Sequence, residues 1–129
     1  MKRHGVRVWP AAFYFVFAIA ILNLSRAAPP DASAGKNVFA KRCSGCHSPD
    51  SDKEGPRLRG VLGRKAGTVA GFQYSEPLRN SEIIWDESLL NKWIENPDNV
   101  VLNNDMEFRV ADPDERAAIV AYLKSLSQK

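Results

Sequence analysis

Between positions 48 and 82 the chain runs for 35 residues without a sustained apolar period. Gly55-Pro56, Gly60, Gly63, Gly67, Gly71 and Pro77 break it at short intervals, the signature of a looped segment. A loop of that length is uncommon in a compact domain, and something other than secondary structure generally supplies its order. The flanks read as helical. Ser33 is placed to cap a helix over 34–43, with Val38, Phe39 and Cys43 on one face. Asp86 and Pro97 bound a second, over 86–96, carrying Leu89, Leu90, Trp93 and Ile94. The last has the clearest entry: Asp112 fits the N-cap, Pro113 the first helical position and Glu115 the third. Ile119, Tyr122, Leu123 and Leu126 form its apolar stripe. With no alternating strand pattern and no internal repeat, the expected fold class is all-α. Three short helices in roughly 100 residues bury little apolar area, so a large apolar cofactor would complete the core.

The charge is unevenly spread. Of 18 Lys and Arg, four (Lys2, Arg3, Arg7 and Arg26) lie in the first 27 residues, which hold no acid. Residues 28–129 therefore carry 14 basic and 15 acidic side chains, a net of −1, and a nucleic-acid binder is excluded despite the overall +3. Lys2, Arg3 and Arg7 precede an uncharged apolar run over 8–22, the layout of a secretory signal. Extended through Asn23 and Leu24 the run reaches 17 residues, at the lower edge of the ~20 that span a membrane comfortably. Ser25 and Ala27 supply small residues for a cut after Ala27. The expected organisation is a signal peptide or N-terminal membrane anchor at 1–27, a linker at 28–33 and one folded domain at 34–129, outside the cytoplasm.

Two cysteines cannot build a disulfide scaffold, but their spacing carries chemistry. Cys43-Ser44-Gly45-Cys46-His47 is C-x-x-C-H, the attachment motif of c-type haem. Two thiols three residues apart can each add to a vinyl group of one porphyrin, and the adjacent His47 is then delivered to the iron. Half a zinc site, a thiol redox pair and an ordinary periplasmic disulfide share the pattern. Zinc wants four ligands, and after Ala27 the chain has two cysteines and one histidine; no strand precedes Cys43, as a thioredoxin-like pair would require. A haem iron held by one histidine needs a sixth partner or stays open. Met106, the only methionine besides Met1, stands in the polar loop Asn103-Asn104-Asp105-Met106-Glu107. A thioether there would favour the ferrous state and raise the reduction potential.

These residues resemble class I cytochrome c, the mitochondrial and bacterial c2-like group, over nearly all of 34–129. Gly35 and Phe39 fit the family's first helix and Tyr122 its last. Gly55-Pro56-x-Leu58-x-Gly60-x-x-Gly63-Arg64-Lys65-x-Gly67 follows the family's loop after the haem motif, Gly71-Phe72-x-Tyr74-Ser75 and Ile83-Ile84-Trp85 the segments at the haem edge, and Leu89-x-x-Trp93-Ile94-Glu95-Asn96-Pro97 with Met106-x-Phe108 the ligand region. The resemblance implies one covalent haem c on Cys43 and Cys46, with His47 and Met106 as axial ligands. It also implies that the Pro56 carbonyl orients His47, that Tyr74 and Trp85 hydrogen-bond a propionate, and that Arg64 compensates its charge.

Several positions depart from the family. Trp93 stands where a Tyr often neighbours the methionine sulfur; it keeps the bulk and a donor. Leu78 replaces a buried Asn. The usual Pro-Gly-Thr-Lys before Met becomes Leu102-Asn103-Asn104-Asp105, which loses a rigid proline and predicts a softer loop, although Asn103 tolerates the left-handed conformation of Gly. Residues 36–65 carry a net of +5 and 76–115 a net of −8, unlike the lysine ring of mitochondrial members, and such a field steers or orients redox docking. The function implied is a monomeric, non-enzymatic one-electron carrier in a respiratory or photosynthetic chain. It would work between partners such as a quinol–cytochrome c reductase and a terminal oxidase, in the bacterial periplasm, soluble or tethered to the membrane. A weak peroxidase with an open iron and a colourless dithiol or metal-binding module are the alternatives.

Overall fold

In the computed structural model residues 30–128, apart from the separate Met1, are described; the expected signal or anchor and the first part of the linker lie outside the described residues. Helix α1 spans Ala32–Arg42 and starts two residues earlier than the sequence pattern suggests. Asp31, not Ser33, is the cap: its carboxylate accepts from the Ser33 backbone N–H at 2.9 Å and from the Ser33 hydroxyl at 2.5 Å. A carboxylate is the better partner for the positive end of a helix, and the hydroxyl then serves it. Lys41 and Arg42 in the last turn suit the opposite end.

Helix α2, Glu76–Arg79, is a single turn that the glycine-rich reading passed over. Pro77 punctuates the sequence there, but proline is compatible with the first turn of a helix. Helix α3, Glu87–Glu95, begins as expected at Asp86, whose carboxylate accepts from Leu89 N–H at 2.7 Å. Asn96 ends it, and Pro97–Asn99 continue as one 3₁₀ turn. Helix α4, Pro113–Ser125, has Asp112 as its cap, bonded to the N–H groups of Asp114 and Glu115 at 2.8 and 3.4 Å.

Helices α1 and α4 cross where Gly35 meets the Ala118 carbonyl so closely that a Cβ would lie 2.0 Å from its oxygen. Beside the crossing, Phe39 packs on Tyr122 with ring centroids 5.3 Å apart. Arg116, which the apolar periodicity does not reveal, is only 8% exposed. Its guanidinium donates to the carbonyls of Val110 and Ala111 at 2.9 and 2.7 Å and to Asn91 at 3.2 Å, and pairs with Glu95 at 3.2 Å. It thereby ties α4 to α3 and to the chain that leads out of the Met106 loop. The long glycine-rich loop is stitched to the segment before α3: Gly63 N–H donates to Trp85 O, Trp85 N–H to Arg64 O and Ala66 N–H to Ile83 O, all within 3.0 Å. One isolated antiparallel bridge, Lys65 with Ile84, is the sole β pairing among the described residues. Among those residues no helix is long and apolar enough to cross a membrane.

Gly35→Ala is expected to lower folding stability by about 1–3 kcal/mol, the usual cost of overpacking a tight contact. Gly45→Ala, where an added Cβ meets nothing within 4 Å, is the matched control. Thermal unfolding of the two variants checks this; equal midpoints would refute the close crossing.

Candidate functional site

The buried side chains do not close on one another. Phe39, Val61, Trp85, Leu90, Trp93, Ile94, Ile119 and Leu123 belong to the core and also line a cavity of about 620 Å³. Cys43, Cys46, His47, Pro56, Arg64, Tyr74, Trp85 and Met106 all border that same space. A shallower groove of about 740 Å³ on the outer side of α3 and α4, bordered by Glu87, Lys92 and Lys124, touches none of them. The chemistry belongs to the first cavity.

The C-x-x-C-H stretch unwinds from the end of α1. Cys43 and Ser44 N–H both bond to Phe39 O, and Cys46 and His47 N–H bond back to Cys43 O at 3.1 and 2.8 Å. This turn brings both cysteines and His47 to the cavity wall. Neither cysteine forms a disulfide. Burial pushes the Cys43 thiol up to about 11, with Cys46 adding to the effect. A pair at the C-terminal end of a helix gains no help from the dipole, unlike reactive thiolates at helix N-termini. Among the described residues no cluster of three or more His, Cys, Asp and Glu is arranged to hold a metal ion.

The histidine ring is gripped on two sides. His47 Nδ1 and the Pro56 carbonyl are 2.8 Å apart. This contact assigns the Nδ1 proton and leaves the Nε2 lone pair free for a metal. Gly55 lies flat against the ring: a Cβ there would be 2.2 Å from its Cε1. Burial lowers the His47 pKa, which keeps the ring in the neutral form that ligates. Elsewhere on the wall Met106 is half-buried, and its sulfur accepts a hydrogen bond from Trp93 Nε1 at 3.0 Å. The Trp93 ring stands edge-on to Trp85, with centroids 5.2 Å apart.

The cavity also has a polar end. Arg64 is half-buried, and its hydrogen bonds go to the carbonyls of Arg59 and Arg57, not to a carboxylate. Burial lowers its pKa, but a guanidinium stays charged. Tyr74 accepts only a long hydrogen bond, 3.3 Å, from Val69 N–H. Ser75, a residue the sequence reading did not assign, carries a buried hydroxyl with no partner among the described residues. A half-buried guanidinium whose hydrogen bonds go to carbonyls only and an orphaned hydroxyl at the rim of an apolar cavity suit a mostly apolar ligand with an acidic edge.

The cytochrome c family model matches residues 32–127. The chain belongs to the cytochrome c family. It is 47% identical over 87 residues to cytochrome c2 iso-2 of Magnetospirillum fulvum, an alignment covering 65% of this chain and 91% of the relative. It is 36% identical over 106 residues to cytochrome c of Gossypium barbadense, covering 79% and 96%. Among solved structures, cytochrome cH from Methylobacterium extorquens superposes with a TM-score of 0.69 at 37% identity, covering 74% of this chain and 98% of that one. The fold is the all-α cytochrome c fold and the class is class I. Cytochromes c are electron carriers with covalent haem c, and Cys43 and Cys46 fit the attachment motif.

The apolar lining and polar end of the cavity suit that group. Asn103 does adopt the left-handed conformation, φ 58°. Leu78 is half-buried against the core and borders the cavity, so an apolar contact stands where the resemblance placed a polar one. Before Met106, where the proline is missing, Asn104 makes three hydrogen bonds, to Asp98, Val101 and the Met106 backbone. The charged halves are also linked, since Arg42 pairs with Glu115 and Lys65 with Glu82 across the divide.

Gly55→Ala is expected to drive a methyl into the His47 ring and reduce covalent haem content several-fold. Haem absorbance per protein after co-expression with the maturation machinery is the readout, and an unchanged content would show that the ring does not depend on the contact.

Proposed function

We propose that the protein carries one haem c, bound by thioethers from Cys43 and Cys46, with His47 and Met106 as axial ligands to the iron. The reading is carried by the convergence of His47, held by the Pro56 carbonyl, with the Met106 sulfur on one apolar cavity. When bound, the haem would supply a one-electron ferric–ferrous couple, with His47 and Met106 as the residues that would hold the iron. The chain's own contribution is positioning and polarity. Pro56 fixes the tautomer and direction of His47. Trp93 donates to the Met106 sulfur, which weakens that sulfur as a donor to ferric iron and so favours the reduced state. Val61, Leu90, Ile94 and Ile119 keep water away, which disfavours the more highly charged oxidised state. Arg64, Tyr74, Trp85 and Ser75 accommodate the propionates.

The activity is one-electron transfer between membrane redox complexes, for example a quinol–cytochrome c reductase and a terminal oxidase, with no bond made or broken in a substrate. The setting is the bacterial periplasm, with residues 1–27 as signal peptide or anchor, 28–33 as linker and 34–129 as a monomeric cytochrome domain. The start of α1 at Ala32 moves the folded part slightly into that linker.

Optical spectra before and after acid–acetone extraction test the attachment: extraction-resistant low-spin bands are expected, and colourless protein would refute it. His47→Ala or Cys46→Ala should abolish or disrupt haem incorporation. Met106→Ala should retain covalent haem but lower the reduction potential and admit external ligands; an unchanged potential would remove Met106 from the iron. Trp93→Phe deletes the N–H together with the pyrrole half of the indole, leaving a smaller aromatic ring at the same place. Its potential should fall by less than that of Met106→Ala, by up to about 40 mV for one hydrogen bond; redox titration measures both.

A further inference from the structure

Asn104 stands two residues before Met106 in the loop that lacks the family's proline. Its carboxamide is used three times. Oδ1 accepts the Met106 backbone N–H at 2.8 Å, and Nδ2 donates to the Val101 carbonyl at 2.8 Å and to Asp98 Oδ1 at 3.1 Å. The other oxygen of Asp98 accepts from Arg109 at 3.1 Å. Asp98 itself sits in the 3₁₀ turn whose entry is set by the Asn96 side chain and the buried Pro97. One neutral amide therefore links the methionine backbone to the rigid turn before the loop, and Asp98 extends the link to the segment after it. Only a carboxamide can accept from one N–H and donate to two oxygens at this point; a carboxylate has no donor, and a hydroxyl has one. Asn103, in its left-handed conformation, turns the chain immediately before the amide.

We infer that Asn104 is a positioning residue that holds the Met106 thioether on the iron. The inference rests on the reading of Met106 as an axial ligand. It assigns to side-chain hydrogen bonds the restraint that a proline would otherwise supply through its fixed φ. Without the clamp the loop spends a larger fraction of time with the sulfur displaced. The apparent affinity of an external ligand for the iron rises in proportion to that fraction.

The ferric holoprotein titrated with imidazole tests this, followed by loss of the sulfur-to-iron charge-transfer band. Asn104→Ala is expected to bind imidazole about tenfold more tightly, the scale of one net hydrogen bond. Asp98→Ala, which unties the same amide from the 3₁₀ turn, should shift affinity the same way by about threefold. Lys124→Ala, which loses only an exposed ion pair with Glu87 away from the cavity, is the control and should keep the wild-type imidazole affinity. A wild-type band with an unchanged affinity in Asn104→Ala overturns the clamp alone. If that variant does not assemble, an unchanged affinity in Asp98→Ala overturns it. A wild-type protein that lacks the band overturns ligation by Met106 and the clamp with it.

Discussion

Most of the core side chains in this protein face a cavity as well as each other, and the fold depends on what that cavity holds. The side chains around this apolar space of about 620 Å³ gain full packing contacts only when a group fills it. Three helices of 9 to 13 residues and a single-turn helix leave much of their apolar surface facing it. The covalent haem of the family answers the difficulty directly, because it supplies apolar surface to the walls and cannot dissociate. The long loop is ordered on the same principle, with Val61, Leu58 and Leu78 packed inward where a strand or helix would otherwise have been needed.

Around that cavity the chain divides its tasks. The α1–α4 crossing at Gly35 sets where Cys43 and Cys46 emerge, and Pro56 and Gly55 then restrict the imidazole. Arg116 fixes the exit of the Met106 loop to α3, while Asp98 and Asn104 fix its entry. Exposed ion pairs such as Arg59 with Asp50 add little to stability on their own. The buried guanidinium of Arg116 differs, because removing it would orphan the Val110 and Ala111 carbonyls that it serves.

Much of this was legible along the chain wherever the determining interaction is local. Asp112-Pro113 and Asp86 with Pro97 mark their helix ends because a cap satisfies N–H groups two or three residues away. The choice between Asp31 and Ser33 was not legible, since two competent caps stand within one turn and only the folded backbone selects one. Helix α2 was missed because a single turn has no period to read. Cys43, Cys46 and His47 announce themselves by spacing; Met106 stood out as a lone thioether in a polar loop. Pro56, Arg64, Tyr74 and Trp85 drew attention only through the family resemblance, and Ser75, Arg116 and Asn104 through neither route.

The sequence by itself determined the three longer helices and the C-x-x-C-H attachment motif, because each rests on neighbours within a few positions, and the family, because several such short motifs follow one another in order. The tertiary structure decided which polar groups serve the site. His47 meets Pro56 nine residues away, Trp93 meets Met106 thirteen away, and Arg116 meets Asn91 twenty-five away. Contacts across such separations depend on where whole helices and loops come to rest, and no local pattern of residues encodes that position.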